Sequence, residues 1–412
     1  MKNEKNHYNT TTLLPNSVYV VKSTRTMLKA VRRYLNQSFR PAKLLNQPEY
    51  ANYTPISDWN MPIYNNWLKG CPSASMVSPD KALALHDYQR EIFADPVGNN
   101  LCPFNDGLAF TIDLPDESVD ELSNVLRKMK LKGFKLFRTG PCTYLKNTQE
   151  KFENFAIFKD KRNNEVLFFW GLSEAIKAAR PSQRNAKVAF NPARFKSHQI
   201  NNFFKYIKRS DCFDYTELMP IANVTRTDNT MDMYGFHLCN FIFDKPNVSI
   251  INDYQNEYSH DHVLIGTVKV GSPTCSNLTA YDKLFKIISG QSSLIPLLTY
   301  PNGKFVPITR IERKYKPADG KAITLDSLDE APYFLADTNI YSPIVIRELN
   351  NDERDIVSKN GFLDWIYVQA KAERRAFILD FLSKNKLLVN HESLYSQQKK
   401  QLRLISELIL KV

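Results

Sequence analysis

Apolar and polar positions alternate with a period near two through much of the middle of the chain. GLAFTIDLP from residue 107, FKLFRTG from residue 134 and the two halves of FENFAIFKDKRNNEVLFFWG read as strands, the last two joined by the turn KRNN. Further strands are expected in AKVAFNPARF, VTRTDNTMDMYG, FHLCNFIFD, NVSIIND, VLIGTVKVG, NLTAYDKLFKI and PITRIERKYK. Three stretches switch to a helical period: ESVDELSNVLRKMKLKG, with acids early and lysines late, SEAIKAAR, and SHQINNFFKYIKR, for which Ser197 is the expected N-cap. Many strands interrupted by a few helices predict an α+β fold with a mostly antiparallel central sheet over residues 101–320. The pattern turns helical beyond Pro317, so residues 325–412 are expected to form a helical C-terminal domain.

The amino-terminal side reads differently. Residues 1–16 are polar and expected to be a disordered tail, and residues 17–100 to hold a basic helix followed by irregular chain. The segment SVYVVKSTRTMLKAVRRYLNQSFRPAK has seven Lys/Arg and no acid. Met27, Leu28, Val31 and Leu35 recur at helical spacing, which turns Arg25, Lys29, Arg32 and Arg33 toward solvent. Residues 40–100 are rich in Pro, Asn and Tyr, so loops and brief helices are expected there.

Composition narrows the function classes. The 412 residues are 43% apolar, enough for a substantial core, and 55 Lys/Arg against 43 Asp/Glu leave a net charge of +12, which favours an anionic partner. On that basis Arg32 and Arg33 are candidates for contact with nucleic-acid phosphate. With only 13 glycines the chain has neither a GxxxxGK[ST] loop nor a GxGxxG turn, so nucleotide-driven motor work would have to come from a partner. Six cysteines without a CxxC pair argue against a zinc ribbon or a dithiol redox site. The first residues lack an apolar signal core and the apolar runs, LIPLL among them, fall short of the ~20 residues that span a bilayer, so a cytoplasmic location without membrane association is expected.

One window concentrates reactive side chains. In RTDNTMD, period-two geometry puts Arg226, Asp228, Thr230 and Asp232 on one strand face. At ~3.3 Å per residue the two aspartates are about 13 Å apart on a straight strand, too far to share one ion without a bulge. Read alone, the window is equally an exposed polar face.

Together with AKVAFNPARF and its following helix, VGSPTCSNLTAYDK and TRIERKYK, this window resembles the replication initiators of small rolling-circle plasmids, the Rep_trans type, and more distantly the gene II initiators of filamentous phages. The four windows fall in the family's order and span residues 186–316, about a third of the chain. The resemblance implies an HUH-nickase or RRM-like sheet layer and a DNA-nicking and -joining enzyme. Tyr281 matches the nucleophile, and Lys283 would stabilise its phenolate or the phosphate. Asp228, Asp232 and Glu312 match acidic positions that would hold Mg2+ or Mn2+, and Arg226 and Arg310 would contact DNA. The partners implied are double- and single-stranded origin DNA, a host helicase and a second copy of the chain. A phenol with pKa near ~10 needs a base or cation to become a nucleophile, and a 5′-phosphotyrosyl link conserves the phosphodiester's energy for rejoining without ATP.

Bland alternatives stand beside these roles: Tyr281 as a packing residue, and Glu312 as a surface partner of Arg310 or Arg313. Ala189 occupies a position where plasmid relatives carry a glutamate, which removes one possible ligand and favours another class of function, a non-catalytic DNA-binding regulator that keeps the fold. His260 and His262 form a His-x-His pair, the ligand pattern of the wider HUH nickases, yet Asp261 stands where those enzymes are hydrophobic, and EYSHDH also reads as a surface turn.

Overall fold

A computed structural model describes residues 19–21, 79–99, 101–144, 151–180, 182–234, 236, 238–244, 251–255, 265–270, 277–283, 297–299, 308–315, 323–360, 362 and 365–412. The expected basic helix with Arg32 and Arg33, and the His260/His262 pair, lie outside them. In chain order the elements are β1 (Tyr19–Val21), α1 (Pro79–Ala94), β2 (Phe104–Ile112), α2 (Asp116–Lys128), β3 (Phe134–Pro141), β4 (Phe152–Asp160), β5 (Glu165–Leu172), α3 (Glu174–Ala179), β6 (Ala186–Phe190), α4 (Ser197–Arg209), α5 (Tyr215–Leu218), β7 (Asn223–Tyr234), β8 (Ile242–Asp244), β9 (Ile251–Gln255), β10 (Ile265–Val270), β11 (Asn277–Asp282), β12 (Leu297–Thr299), β13 (Ile308–Tyr315), β14 (Asn339–Tyr341), α6 (Asn351–Asn360), α7 (Ala372–Lys384) and α8 (His391–Leu410). No described helix is long and apolar enough to cross a membrane.

The chain is mixed α+β with extensive antiparallel sheet, but its compact units are not the consecutive blocks that the sequence suggests. One comprises Met1–Cys102, Met231–Glu312 and Leu335–Leu394; the other comprises Pro103–Thr230, Arg313–Phe334 and Tyr395–Val412. The physical reason is that β7, β13 and α8 are long enough to contribute residues to both.

In the second unit the strand order is β3-β4-β5-β6-β2-β7, antiparallel throughout. The chain leaves β2, crosses by α2 to the far edge at β3 and returns strand by strand to β6. The β4–β5 hairpin turns at residues 161–164 as expected: the Asp160 carboxylate accepts the backbone N–H groups of Arg162 and Asn164 at 2.7 and 2.9 Å, and Asn163 supplies the positive φ of 63°. One sheet face is apolar. Leu108, Phe110, Ala156, Phe158, Val166, Phe168, Val188 and Phe190 meet Leu122 and Leu126 of α2, Phe203 and Phe204 of α4, and Leu402, Ile405 and Ile409 of α8. Acids in the first turn of α2 and Arg127 and Lys128 in its last match the helix dipole. The N-cap of α4 is Lys196, one residue before the expected Ser197, because the Gln199 side chain reaches back to accept the Lys196 N–H at 2.9 Å.

In the first unit, β9-β10-β11-β13-β7 follow one another, and two short antiparallel pairs, β1–β12 and β8–β14, stand apart. The segment expected to be irregular contains the 16-residue α1. Pro79 opens it, where the missing N–H costs nothing, and Ala82, Leu85, His86, Gln89, Ile92 and Phe93 are buried at helical spacing. FHLCNFIFD, expected as a strand, is a 3-10 turn at Leu238–Asn240 and only three residues of strand. The C-terminal region is largely helical but contributes β14, paired to β8, and its core of Tyr341, Val345, Leu349, Val357, Trp365, Ile366, Ile378 and Leu382 includes Ile242 from β8.

Phe203 is 1% exposed and its ring meets those of Phe134, Phe158, Phe168 and Phe204. Phe203→Ala should therefore cost about 3–5 kcal/mol in denaturant unfolding, and Phe203→Leu distinctly less.

Candidate functional site

Within the first unit, strand alternation on β13 puts Arg310 and Glu312 on one side, and each meets a different neighbour. Arg310 is 0% exposed and grips Asp232 of β7 through two bonds, Nε to Oδ1 at 2.5 Å and Nη2 to Oδ2 at 2.7 Å. Two residues on, Glu312 Oε2 accepts the hydroxyl of Tyr281 from β11 at 3.2 Å. The ammonium of Lys283 lies 5.9 Å from the Tyr281 ring centroid, within cation–π range. Tyr281 and Lys283 are both buried, at 5% and 3% exposure. On β11 the partners of the apolar side are Leu278 and Ala280, while Tyr281 turns the other way, toward Glu312. The ring is thus enclosed, but among a carboxylate and an ammonium and not in a purely apolar interior.

Within the second unit, Arg226 and Asp228 pair with each other, Nε to Oδ1 at 2.8 Å and Nη2 to Oδ2. Asp228 is nearly covered, with 4% of its side chain exposed, whereas Arg226 keeps 46%. Small residues make room for them. Gly107 sits opposite Asp228 and Ala109 opposite Arg226, and a Cβ at Gly107 would stand 2.7 Å from Asp228 Oδ2. Ladder irregularities on both sides, at Asp106 and Thr225, bend the strands around this pair. On the reverse side of β7, Asn105 Nδ2 bonds Thr227 Oγ1 at 2.6 Å and Asn229 Oδ1 at 3.2 Å, which fixes the register.

The arrangement departs from the expected roles. Arg310 cannot touch DNA phosphate, because its guanidinium is fully buried and held by Asp232. Asp228 and Asp232, expected to ligate a metal, are each bound by an arginine. Among the described residues no three His, Cys, Asp or Glu side chains group around a possible ion. Thr230 on the same strand face has a buried hydroxyl with no hydrogen-bond partner among them, but one hydroxyl is not a donor set for a hard divalent cation, which takes six or more oxygens. These residues, as placed, do not fit Mg2+ or Mn2+. Arg226 keeps the exposure its expected role needs. Gly107, missed in the sequence, had a signal there: a glycine inside a strand pattern, in a chain poor in glycine, marks close approach of another group.

No family model matches the chain, and no curated protein matches it.

A charged pair buried this deeply makes a definite demand. Asp232→Asn, which leaves the Arg310 guanidinium without its counter-charge, should destabilise the protein by about 3–5 kcal/mol in chemical denaturation. The double change Asp232→Leu with Arg310→Met should recover most of that loss. Gly107→Ala should displace the Asp228 carboxylate while leaving the Asp232–Arg310 pair in place, so it should destabilise the protein less than Asp232→Asn.

Proposed function

We propose that the protein is a DNA-nicking and -joining initiator of rolling-circle replication, of the kind carried by plasmids, phages and related mobile elements, with Tyr281 as its nucleophile. One observation carries the reading: the Tyr281 hydroxyl donates to the Glu312 carboxylate with an ammonium beside the ring. A phenol and a carboxylic acid differ by about six pKa units, so full transfer of the proton before attack would cost about 8 kcal/mol. The proton therefore passes to Glu312 as the phenol oxygen bonds to phosphorus, and Lys283 offsets the charge that develops on the ring oxygen. The phosphorus–O3′ bond breaks, the 3′ oxygen leaves and takes up the proton that Glu312 accepted, directly or through water, and the 5′ end stays linked to Tyr281. Running the steps backward joins strands without ATP.

The reading includes an HUH-nickase-like layer, origin DNA in double- and single-stranded form, a host helicase, a second copy of the chain and a cytoplasmic setting. Divalent metal belongs to the resemblance. Because the described carboxylates are engaged by Arg226 and Arg310, no step is routed through an ion. Those same two pairs, with Ala189, favour the second reading, a DNA-binding regulator of the same fold without the nicking step.

Incubation of the protein with supercoiled DNA carrying its own origin, with and without Mg2+ or Mn2+, followed by denaturing electrophoresis, separates the two. The initiator forms a protein–DNA adduct that survives denaturation. Tyr281→Phe should abolish it with DNA binding intact, and Glu312→Gln should slow it by about 10²–10⁴-fold, the usual worth of a positioned base. Since Tyr281 is only 5% exposed, attack requires the ring to be uncovered first. An unaltered adduct in Tyr281→Phe, or no adduct under any condition, sinks the nicking step.

A further inference from the structure

The second unit's sheet has a second face, which Ile176 of α3 covers in part by packing with Phe155, Phe169, Ile157 and Leu167, and which is exposed along β3 at Lys135, Phe137 and Arg138. From the edge inward, one row of directly paired residues runs Arg138, Ile157, Leu167, Ala189, Ala109, Arg226. A neighbouring row brings Lys135, Lys159 and Glu165 side by side. Ile157, Leu167 and Ala189 remain partly exposed on it.

The edge strand β3 contains an irregularity on this face. The ladder pairs Leu136 with Phe158 and Arg138 with Ile157, so Phe137 is an extra residue with no opposite number. A bulge of this kind re-aims a side chain, and here it turns Phe137 outward: the ring is 60% exposed, the largest exposure of any aromatic side chain described. The ammonium of Lys159 lies 3.6 Å from its centroid, held also by Glu165 at 2.9 Å. Arg138 stands beside it, 5.7 Å from the ring of Phe155. From residue 127 to 138 the chain has Arg127, Lys128, Lys130, Lys132, Lys135 and Arg138, all exposed, and no acid.

Charges on an edge strand ordinarily keep it from pairing with other sheets. An outward phenylalanine works against that purpose, since it adds sticky area to the edge and forgoes the ~1.5–3 kcal/mol that burial would contribute. A basic edge with one presented ring suits an anionic partner that also has flat faces. That partner is single-stranded nucleic acid, whose bases stack on aromatic rings while cations track the phosphates. A duplex hides its base faces and cannot use the ring.

We infer that Phe137 is a base-stacking platform and that the basic edge around it, with Lys135, Arg138 and Lys159, is a track for single-stranded DNA. The choice of DNA over RNA rests on the proposed initiator function; the stacking itself does not.

The test is fluorescence anisotropy of labelled oligo(dT), oligo(U) and a DNA duplex of equal length, titrated with the full chain at low salt and without divalent metal, so that no cleavage intervenes. Phe137→Ala should weaken oligo(dT) binding about 5- to 100-fold, the range for one lost stacked base, and change duplex binding less than twofold. Phe137→Trp should bind oligo(dT) like the parent, with its added indole emission quenched by the oligonucleotide. Because the ring is exposed, both variants should unfold at the parent's temperature. Equal oligo(dT) affinity in parent and Phe137→Ala overturns the inference, as does an equal loss on duplex, which would mark a general change in charge or fold. Oligo(U) bound more tightly than oligo(dT) moves the track to RNA and overturns its DNA assignment. A chain that never forms the Tyr281 adduct but loses oligo(dT) binding in Phe137→Ala separates the failure of the nicking proposal from that of this one.

Discussion

A guanidinium with no exposure needs a carboxylate, and Arg310 has Asp232. Losing two hydration shells costs several kcal/mol per ion, and only paired, well-directed hydrogen bonds return it. The double bond between these side chains does so, and in doing so it fixes which side of β13 faces β7. Glu312 is two residues from Arg310 and so points to the same side, where the phenol of Tyr281 reaches it from β11. The candidate chemistry in the first unit is in this sense a consequence of one buried ion pair. A shift of β13 by one residue would set Ile311 against Asp232 in place of Arg310 and turn Glu312 away from the ring.

That dependence also shows which partners of the acids the sequence does not reveal. Alternation along RTDNTMD puts Arg226 and Asp228 on one face, and they pair with each other. What alternation cannot show is burial. With burial unknown, carboxylates look available to a metal and arginines available to phosphate. Once β7 is enclosed over Thr227–Met233, each aspartate must find a positive partner, and an arginine in the same polypeptide is always present where a metal must be supplied. Arg310, 78 positions from Asp232, is invisible as its partner until the strands are adjacent.

Local signals carried the second unit far. The β4–β5 turn was legible because Asp and Asn at KDKRNN satisfy a turn's backbone by themselves, and α2 and α4 because their apolar stripes are continuous. The helix α1 was not legible, because its inward stripe includes His86 and Gln89. Those two are tolerable inside only through His86 bonding Ser342 Oγ at 2.7 Å and Gln89 bonding the Asn240 carbonyl at 2.9 Å, partners more than a hundred residues away. The units interleave along the chain for a similar reason: strand lengths are visible in the sequence, but not that β7 and β13 each contribute to both.

Ala189 gains its meaning from the sheet. As a missing glutamate it suggested a lost ligand; in the ladder it stands opposite Ala109, which stands opposite Arg226. A glutamate there would add a second acid to the face on which Arg226 already neutralises Asp228, and an additional cation would be needed to hold both. With alanine the charges balance without one. Small side chains at 107 and 109 then make room for the Arg226–Asp228 pair, whose guanidinium keeps 46% exposure and can meet a phosphate. The same substitution that weakens the argument for a carboxylate-bound ion strengthens the argument that this face receives a polyanion.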